Sequence, residues 1–185
     1  MSRARHKLSL RTRFSFVLTA LLACLLAALG GLWLQGARTG IHEEVEAATR
    51  VSEQWLGVLA RQADSNGTAV DADALLALLK PAGRIRANAL EVVDAAGQRL
   101  YLSPPPTYKQ GRNVPAAFAA LLEPEFAARP IKFGELAVVI HPDPSRSLID
   151  AWDDLRVMAG WAAALLVLLF AGTRLALDRA LRPLE

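Results

Sequence analysis

Two long apolar stretches bracket a middle segment of the chain in which apolar and polar residues alternate. Residues 14–34 are all uncharged, and a helix of that length is about 31 Å long, which matches the ~30 Å hydrocarbon core of a bilayer. Residues 157–173 are also free of charge, and the second stretch reaches residue 177 if the next apolar turn lies at the membrane edge. Arg156 and Arg174 at its ends can extend into the headgroup layers. The pattern predicts transmembrane helices at 14–34 and 157–177.

The first apolar stretch allows three interpretations. A cleaved signal peptide has an apolar core of roughly 7–15 residues, and this stretch is longer. The sequence Leu21-Leu22-Ala23-Cys24 loosely resembles a lipoprotein cleavage site, but the residues after Cys24 remain apolar where a lipidated cysteine is normally followed by a polar tether. The length of the stretch favours a retained membrane anchor over both cleaved forms.

Basic residues lie outside the two apolar stretches, and they predict the topology. They precede the first stretch and follow the second, at Arg3, Arg5, Lys7, Arg11, Arg13, Arg174, Arg179 and Arg182. The positive-inside rule predicts that residues 1–13 and 178–185 are cytoplasmic and that residues 35–156 are extracytoplasmic. Trp33 and Trp161 then lie near the outer membrane interface, which favours indole rings.

The middle segment is acidic although the chain as a whole is basic. Of the 21 basic and 18 acidic residues in the chain, eight basic and two acidic ones belong to the flanks, which leaves 13 and 16 in the middle. Nucleic acid is therefore excluded as a partner, because phosphate binding requires a clustered basic surface. The only cysteine, Cys24, lies in the first apolar stretch, so no disulfide can stabilise the middle segment.

An amphipathic helix is predicted at 39–62, continuous or nearly continuous with the first apolar stretch. Its apolar or small residues recur at alternating steps of four and three, at Ile41, Val45, Ala48, Ser52, Trp55 and Leu59. This stripe has two interpretations: it packs against its own domain, or it forms the seam of a dimer. Fewer than three heptads are present, which favours packing within the domain.

Turn and strand signals follow this helix and predict an α+β domain. A turn is expected at 64–67, a short helix at 74–79 capped by Asp71 or Asp73, and another helix at 115–122. One hairpin joins strands 89–93 and 98–102, and a second joins 130–133 and 136–140. Ser145 or Ser147 is expected to cap a last helix that begins near Leu148. The predicted fold is a small antiparallel sheet with helices, flanked by two transmembrane helices.

The residue types used in catalysis and metal binding do not form a recognisable motif. His42-Glu43-Glu44-Val45-Glu46 lacks the second histidine of a zinc-binding helix, and a solvated helix explains it. His141 and Asp143 lie between prolines, as in a turn from strand to helix. Trp55, Tyr101, Tyr108 and Phe118 could line a ligand pocket or simply form the core. No catalytic, cofactor-binding or metal-binding residue is predicted, no cofactor is expected, and the ligand residues stay unassigned.

Three segments resemble a known group of receptors. These are the hairpin LEVVDAAGQRL at 90–100, the segment LAVVIHPDPSRSLIDAW at 136–152, and the ending RALRPLE at 179–185. They resemble the LapD/MoxY-type N-terminal extracytoplasmic sensor domain of bacterial membrane receptors, and the ending resembles the first residues of a HAMP linker. The resemblance extends over nearly the whole chain, and each of its segments is moderately specific.

The resemblance implies a homodimeric receptor in the bacterial inner membrane that senses an extracytoplasmic ligand or protein. It also implies the input module of a two-component sensor histidine kinase, which would reach a response regulator only through a cytoplasmic kinase region outside this sequence. LapD-like receptors, which act through cyclic-di-GMP-binding domains, are the alternative, and a stand-alone membrane scaffold is the third. No phosphoacceptor or ATP-binding motif is present, so the chain itself is not expected to be an enzyme. Both a fragment of a longer receptor and a chain that ends at Glu185 fit the sequence.

Overall fold

The computed structural model describes residues 10–65, 71–86, 88–123 and 125–181. Most of the basic tail, including His6, the Asn66-Gly67 part of the predicted turn and the RPLE ending lie outside these residues. Contacts divide the chain into two units, which are described separately. One is Gly36–Trp152, called here the α+β unit, and the other contains the residues up to Gln35 and from Asp153 onwards, called here the apolar-helix unit.

The apolar-helix unit contains parts of the helices α1 (Leu10–Ser65) and α4 (Ser145–Leu181). Both helices are long and apolar enough to cross a membrane, and none of the most apolar window of either is buried within the protein. Phe16, Leu21 and Trp161 are each about two-thirds exposed. A core helix of a water-soluble domain would bury such side chains, so their exposure suits a lipid environment. A signal sequence near the N-terminus would pass the same test for α1, but α4 lies far from the N-terminus.

The α+β unit contains one four-stranded antiparallel sheet, as the sequence predicts. Its strands are β1 (Ala89–Val93), β2 (Arg99–Leu102), β3 (Arg129–Phe133) and β4 (Leu136–His141), in the spatial order β2-β1-β4-β3. Both predicted hairpins form, and their inner strands β1 and β4 pair with each other. Gly97 and Gly134 in the two turns have positive φ angles of 78° and 62°, a conformation that glycine adopts without steric cost.

One face of the sheet packs against α1 and α2 (Ala72–Ala82) to form the hydrophobic core. Alternating residues of the two central strands supply the sheet side, because successive side chains of a strand point to opposite faces. The buried residues of this layer are Leu56, Ala60, Leu75, Leu79, Leu90, Val92, Phe133, Leu136, Val138 and Ile140. On the opposite face, Glu91, Lys132 and His141 are exposed or half-buried. The unit therefore has two layers, with one dry face and one polar face.

The apolar stripe of α1 differs from the prediction in its second half. Its buried positions are Ile41, Val45, Ala48, Thr49, Ser52, Leu56 and Ala60. Trp55 is 39% exposed, so position 55 is wrong as a core position, whereas Leu59 is half-buried and packs against the core. The stripe follows the natural period of a straight α-helix, about 3.6 residues, rather than the 3.5-residue heptad period. Because its first half is buried within the α+β unit, packing within the domain explains the stripe.

The other predicted helices are confirmed, with small shifts in their bounds. Helix α2 begins after Asp71, whose carboxylate accepts a hydrogen bond from the Asp73 amide, and it continues one residue past Pro81. Helix α3 (Ala116–Leu122) begins after Pro115, as expected. Helix α4 begins at Ser145, earlier than predicted, and its first amide donates to Asp143 rather than to a serine hydroxyl. Asp143 therefore has the capping role that the sequence assigned to Ser145 or Ser147.

Candidate functional site

The α+β unit has a cavity of about 580 Å³. Its wall is built from the segment after α2, the loop after β2 and the first turn of α4. The residues that line it are Arg84, Arg86, Pro104, Pro105, Pro106, Thr107, Tyr108, Lys109, Asp143, Ser145 and Arg146. Cavities of roughly 300–1,000 Å³ are typical of sites for small molecules. Four basic side chains and one carboxylate make the wall strongly cationic.

Arg84 joins the segment after α2 to the start of α4. Its guanidinium forms an ion pair with the Asp143 carboxylate and donates to the Pro104 carbonyl at 3.2 Å. Only 16% of the Arg84 side chain is exposed. The second oxygen of Asp143 accepts from the Ser145 amide at 2.9 Å. Asp143 thus caps the first turn of α4 and also pairs with Arg84, so it joins two segments of the cavity wall.

Tyr108 and Lys109 tie the loop after β2 to α4 through Asp150. The Tyr108 hydroxyl and the Lys109 ammonium donate to one oxygen of this carboxylate, Oδ1, at 2.8 Å and 2.6 Å. Burial raises the pKa of Asp150, but hydrogen bonds from Lys109 and Tyr108 and the charge of Arg146 lower it by more. The pKa of Asp150 therefore lies below its ordinary value, and the carboxylate is ionised at neutral pH.

Two residues of the cavity wall have an unusual backbone conformation. Arg86 and Lys109 have φ angles of 55° and 44°, and they are the only non-glycine residues with positive φ in the part of the chain that the structure describes. For residues other than glycine this region costs on the order of 1 kcal/mol or more, because Cβ approaches the carbonyl oxygen. Two of the four basic residues of the wall therefore have an unfavourable backbone conformation.

Arg86 and Arg146 carry the remaining positive charge of the wall. Neither forms an ion pair with any described residue, whereas Arg84 and Lys109 each do. The Arg146 guanidinium lies over the Tyr108 ring, 4.6 Å from its centroid, which stabilises a cation without neutralising it. Both arginines also line a second cavity of about 240 Å³, beside Glu44, Val45 and Ala48 of α1.

A buried polar network connects the cavity wall to α1. Asn88, which is fully buried, donates to the Ser52 hydroxyl at 2.9 Å, and its amide oxygen lies 3.1 Å from the Thr49 hydroxyl. Its backbone amide donates to Ile85, which lies between Arg84 and Arg86. Such buried networks fix one arrangement of the elements they join, because an unpaired member costs a full desolvation penalty. The segment that carries Arg84 and Arg86 is therefore held against α1.

Of the two interpretations of the four aromatic residues, core packing fits Phe118 and Tyr101, and only Tyr108 lines the cavity. Phe118 is buried against Trp152, with ring centroids 5.0 Å apart. Tyr101 packs beside the core, where its buried hydroxyl lacks a hydrogen-bond partner among the described residues. Trp55 lies at the surface of α1.

His42 and His141, the two histidines among the described residues, each contact neighbouring side chains. His42 stacks on Phe126, with ring centroids 5.5 Å apart, and lies 3.5 Å from Glu46. His141 lies 2.7 Å from Glu91, on the polar face of the sheet and not beside Asp143. Among the described residues no cluster of histidine, cysteine, aspartate and glutamate could hold a metal ion.

Comparison with protein-family models, with curated proteins and with solved structures found no match to this chain. The resemblance to LapD/MoxY-type sensor domains is thus still a prediction. The case for function depends on the geometry of the cavity and on the two long helices.

Proposed function

We propose that the chain is the input module of a membrane receptor, in which the α+β unit lies outside the cytoplasm and α1 and α4 cross the inner membrane. The observation that carries the proposal is that α1 and α4 each belong to both units. Each contains an exposed apolar stretch of membrane-spanning length, and each also contributes buried residues to the α+β unit, such as Val45 and Leu148. A receptor needs such a shared element, because its ligand must bias a structure that extends across the bilayer.

The cavity wall supports the same proposal, because it is bonded to both of these helices. Arg84 and Lys109 reach α4 through Asp143 and Asp150, and Asn88 reaches α1 through Ser52. A ligand that shifts the wall would change the contacts of both helices. The output we favour is a sensor histidine kinase, and LapD-like control of cyclic-di-GMP signalling is the alternative.

Reporter fusions test the topology. Alkaline phosphatase fused at residue 110 should be active, because the enzyme requires export, and the same reporter fused after Glu185 should be inactive. β-Galactosidase at the same two positions should give the reverse pattern. Phosphatase activity only after Glu185 would refute the proposal.

Homodimerisation is part of the proposal, and it predicts which surface pairs. Val51, Trp55 and Val58 form an exposed apolar stripe on α1, on a different side of the helix from the core. Two receptors anchored in one membrane present this stripe in parallel, so it can meet its own copy. Single cysteines at Val51 or Val58, in a Cys24→Ser background, should form disulfide-linked dimers, whereas cysteines at the buried Val45 or Ala48 should not. Equal cross-linking at all four positions would exclude this surface.

A further inference from the structure

We propose that the 580 Å³ cavity binds a small dianionic solute bearing oxyanion groups, such as a phosphate monoester or a dicarboxylate, with Arg86 and Arg146 as its main ligands. This inference rests on the proposed receptor function and supplies the class of its signal. Three independent features of the cavity support it: its charge, its backbone and its dimensions.

The charge of the wall matches a ligand with two negative charges. Arg84 pairs with Asp143 and Lys109 with Asp150, and neither Arg86 nor Arg146 forms an ion pair with a described residue. The charge of Arg146 also acts on Asp150, but one carboxylate balances only one of the two cations near it. Arginine presents a planar fork of donors that matches carboxylate and phosphate oxygens in pairs. Two such forks at the rim of one cavity can hold the two charged ends of a dicarboxylate or the oxygens of one phosphate.

The backbone of the wall indicates that its basic side chains are needed where they are. Glycine would adopt the conformations of residues 86 and 109 without the steric cost that Arg86 and Lys109 bear. Strained residues of this kind concentrate at binding sites, where the rest of the fold holds them in place. Both strained residues line the same cavity, which supports a binding role for this wall.

The dimensions and surroundings of the cavity favour a small solute over a polymer. Pro104, Pro105 and Pro106 form a stiff apolar wall, on which the carbon atoms of an organic anion can pack. A nucleic acid needs an extended basic surface, whereas these cations converge on one cavity in a segment that is acidic overall.

Binding to the purified full chain tests this inference. The chain is placed in nanodiscs of phosphatidylcholine, and isothermal titration with inorganic phosphate and with succinate is carried out at constant ionic strength against chloride. We expect saturable binding of at least one of these probes. Arg86→Gln and Arg146→Gln should each weaken it at least tenfold, and the double variant should abolish it. Arg61→Gln, which removes an exposed arginine of α1 outside the described cavities, should change the affinity less than twofold.

Several outcomes would overturn the inference. These are no saturable binding of either probe, an equal loss in Arg61→Gln, or binding unchanged in the double variant. If Arg86→Gln failed to fold, Arg86→Gly would take its place, since it removes the charge and the strain together. Reporter fusions report topology without any ligand, so the receptor proposal and the dianion site can fail separately.

Discussion

The core under the sheet and the cationic cavity belong to the same α+β unit, but they differ in burial, backbone strain and charge. In the core, Leu56, Leu90 and Ile140 are fully buried in regular helix and strand. In the cavity wall, Arg86 and Lys109 have strained backbones, and Arg86 and Arg146 form no ion pair with a described residue. The core residues stabilise the fold, whereas the strained and charged residues of the cavity wall lower its stability, as is expected of a binding site. Substitutions in the two regions should therefore change stability in opposite directions.

The largest effect is expected in the core, from Leu56→Ala. Leu56 of α1 is fully buried in the core that this helix forms with the sheet. Its truncation should therefore lower the free energy of unfolding by about 3 kcal/mol. Chemical denaturation of the full chain in micelles, followed by near-ultraviolet circular dichroism, measures this change. Arg61→Ala, at an exposed position of the same helix outside both the core and the proposed dimer stripe, should cost less than about 0.5 kcal/mol. Equal losses for the two variants would mean that the core stripe is misplaced.

Asn88→Ala should have the next largest effect, because Asn88 joins the two regions. It leaves the buried hydroxyls of Thr49 and Ser52 without their amide partner, at a cost of about 2 kcal/mol. It should also weaken anion binding, because Asn88 holds the segment that carries Arg86. Asn113→Ala, at an exposed asparagine, is the matched control for both measurements. A loss of stability with unchanged anion affinity would separate the network from the cavity.

Arg86→Gly sharpens the comparison most, because stability and binding should move apart. Relief of the positive φ angle should raise the free energy of unfolding by about 0.5–1 kcal/mol, while loss of the guanidinium weakens binding. Lys132→Gly, which places the same residue in strand β3, should instead destabilise the unit, since glycine weakens strands. Thermal unfolding and titration calorimetry measure the two quantities. A destabilised Arg86→Gly variant would contradict the strained-site account.

The smallest effect is expected on the polar face of the sheet. Hydrogen bonds from Arg99 and His141 lower the pKa of Glu91 below its ordinary value of 4.5. A lowered carboxyl pKa stabilises the fold above the unfolded-state value, and this contribution disappears as the pH falls through the folded-state value. Glu91→Gln should therefore cost about 0.5 kcal/mol at pH 7 and nothing at a pH well below 4.5. A constant cost at all pH values would exclude the ion pair as its source.

The sequence predicted most of the fold, because its signals are local. Both hairpins are marked by glycines in their turns, at Gly97 and Gly134, and the long apolar stretches are visible without any tertiary information. The errors arise where tertiary contacts decide. Whether Trp55 or Leu56 faces the core depends on the helical period, and a difference of 3.5 from 3.6 residues grows with every turn.

The cavity could not be predicted, because its residues come from three separate segments. The basic residues of the wall are far apart in the sequence, at Arg84, Arg86, Lys109 and Arg146. Only the sheet order and the loop after β2 bring them together. The positive φ angles of Arg86 and Lys109 leave no mark in a single sequence, since neither is a glycine or asparagine. The three consecutive prolines before Tyr108 indicated an extended linker but not the wall of a site.

Thiol labelling from outside the cell tests the central claim most directly. With Cys24→Ser as background, one cysteine is placed at Thr107 in the cavity wall and another at Asp178, just after the predicted span in α4. In intact spheroplasts a membrane-impermeant maleimide should label position 107 and spare position 178, which should react only after the membrane is permeabilised. Labelling of position 178 alone in intact spheroplasts would contradict a receptor whose α+β unit lies outside the cytoplasm.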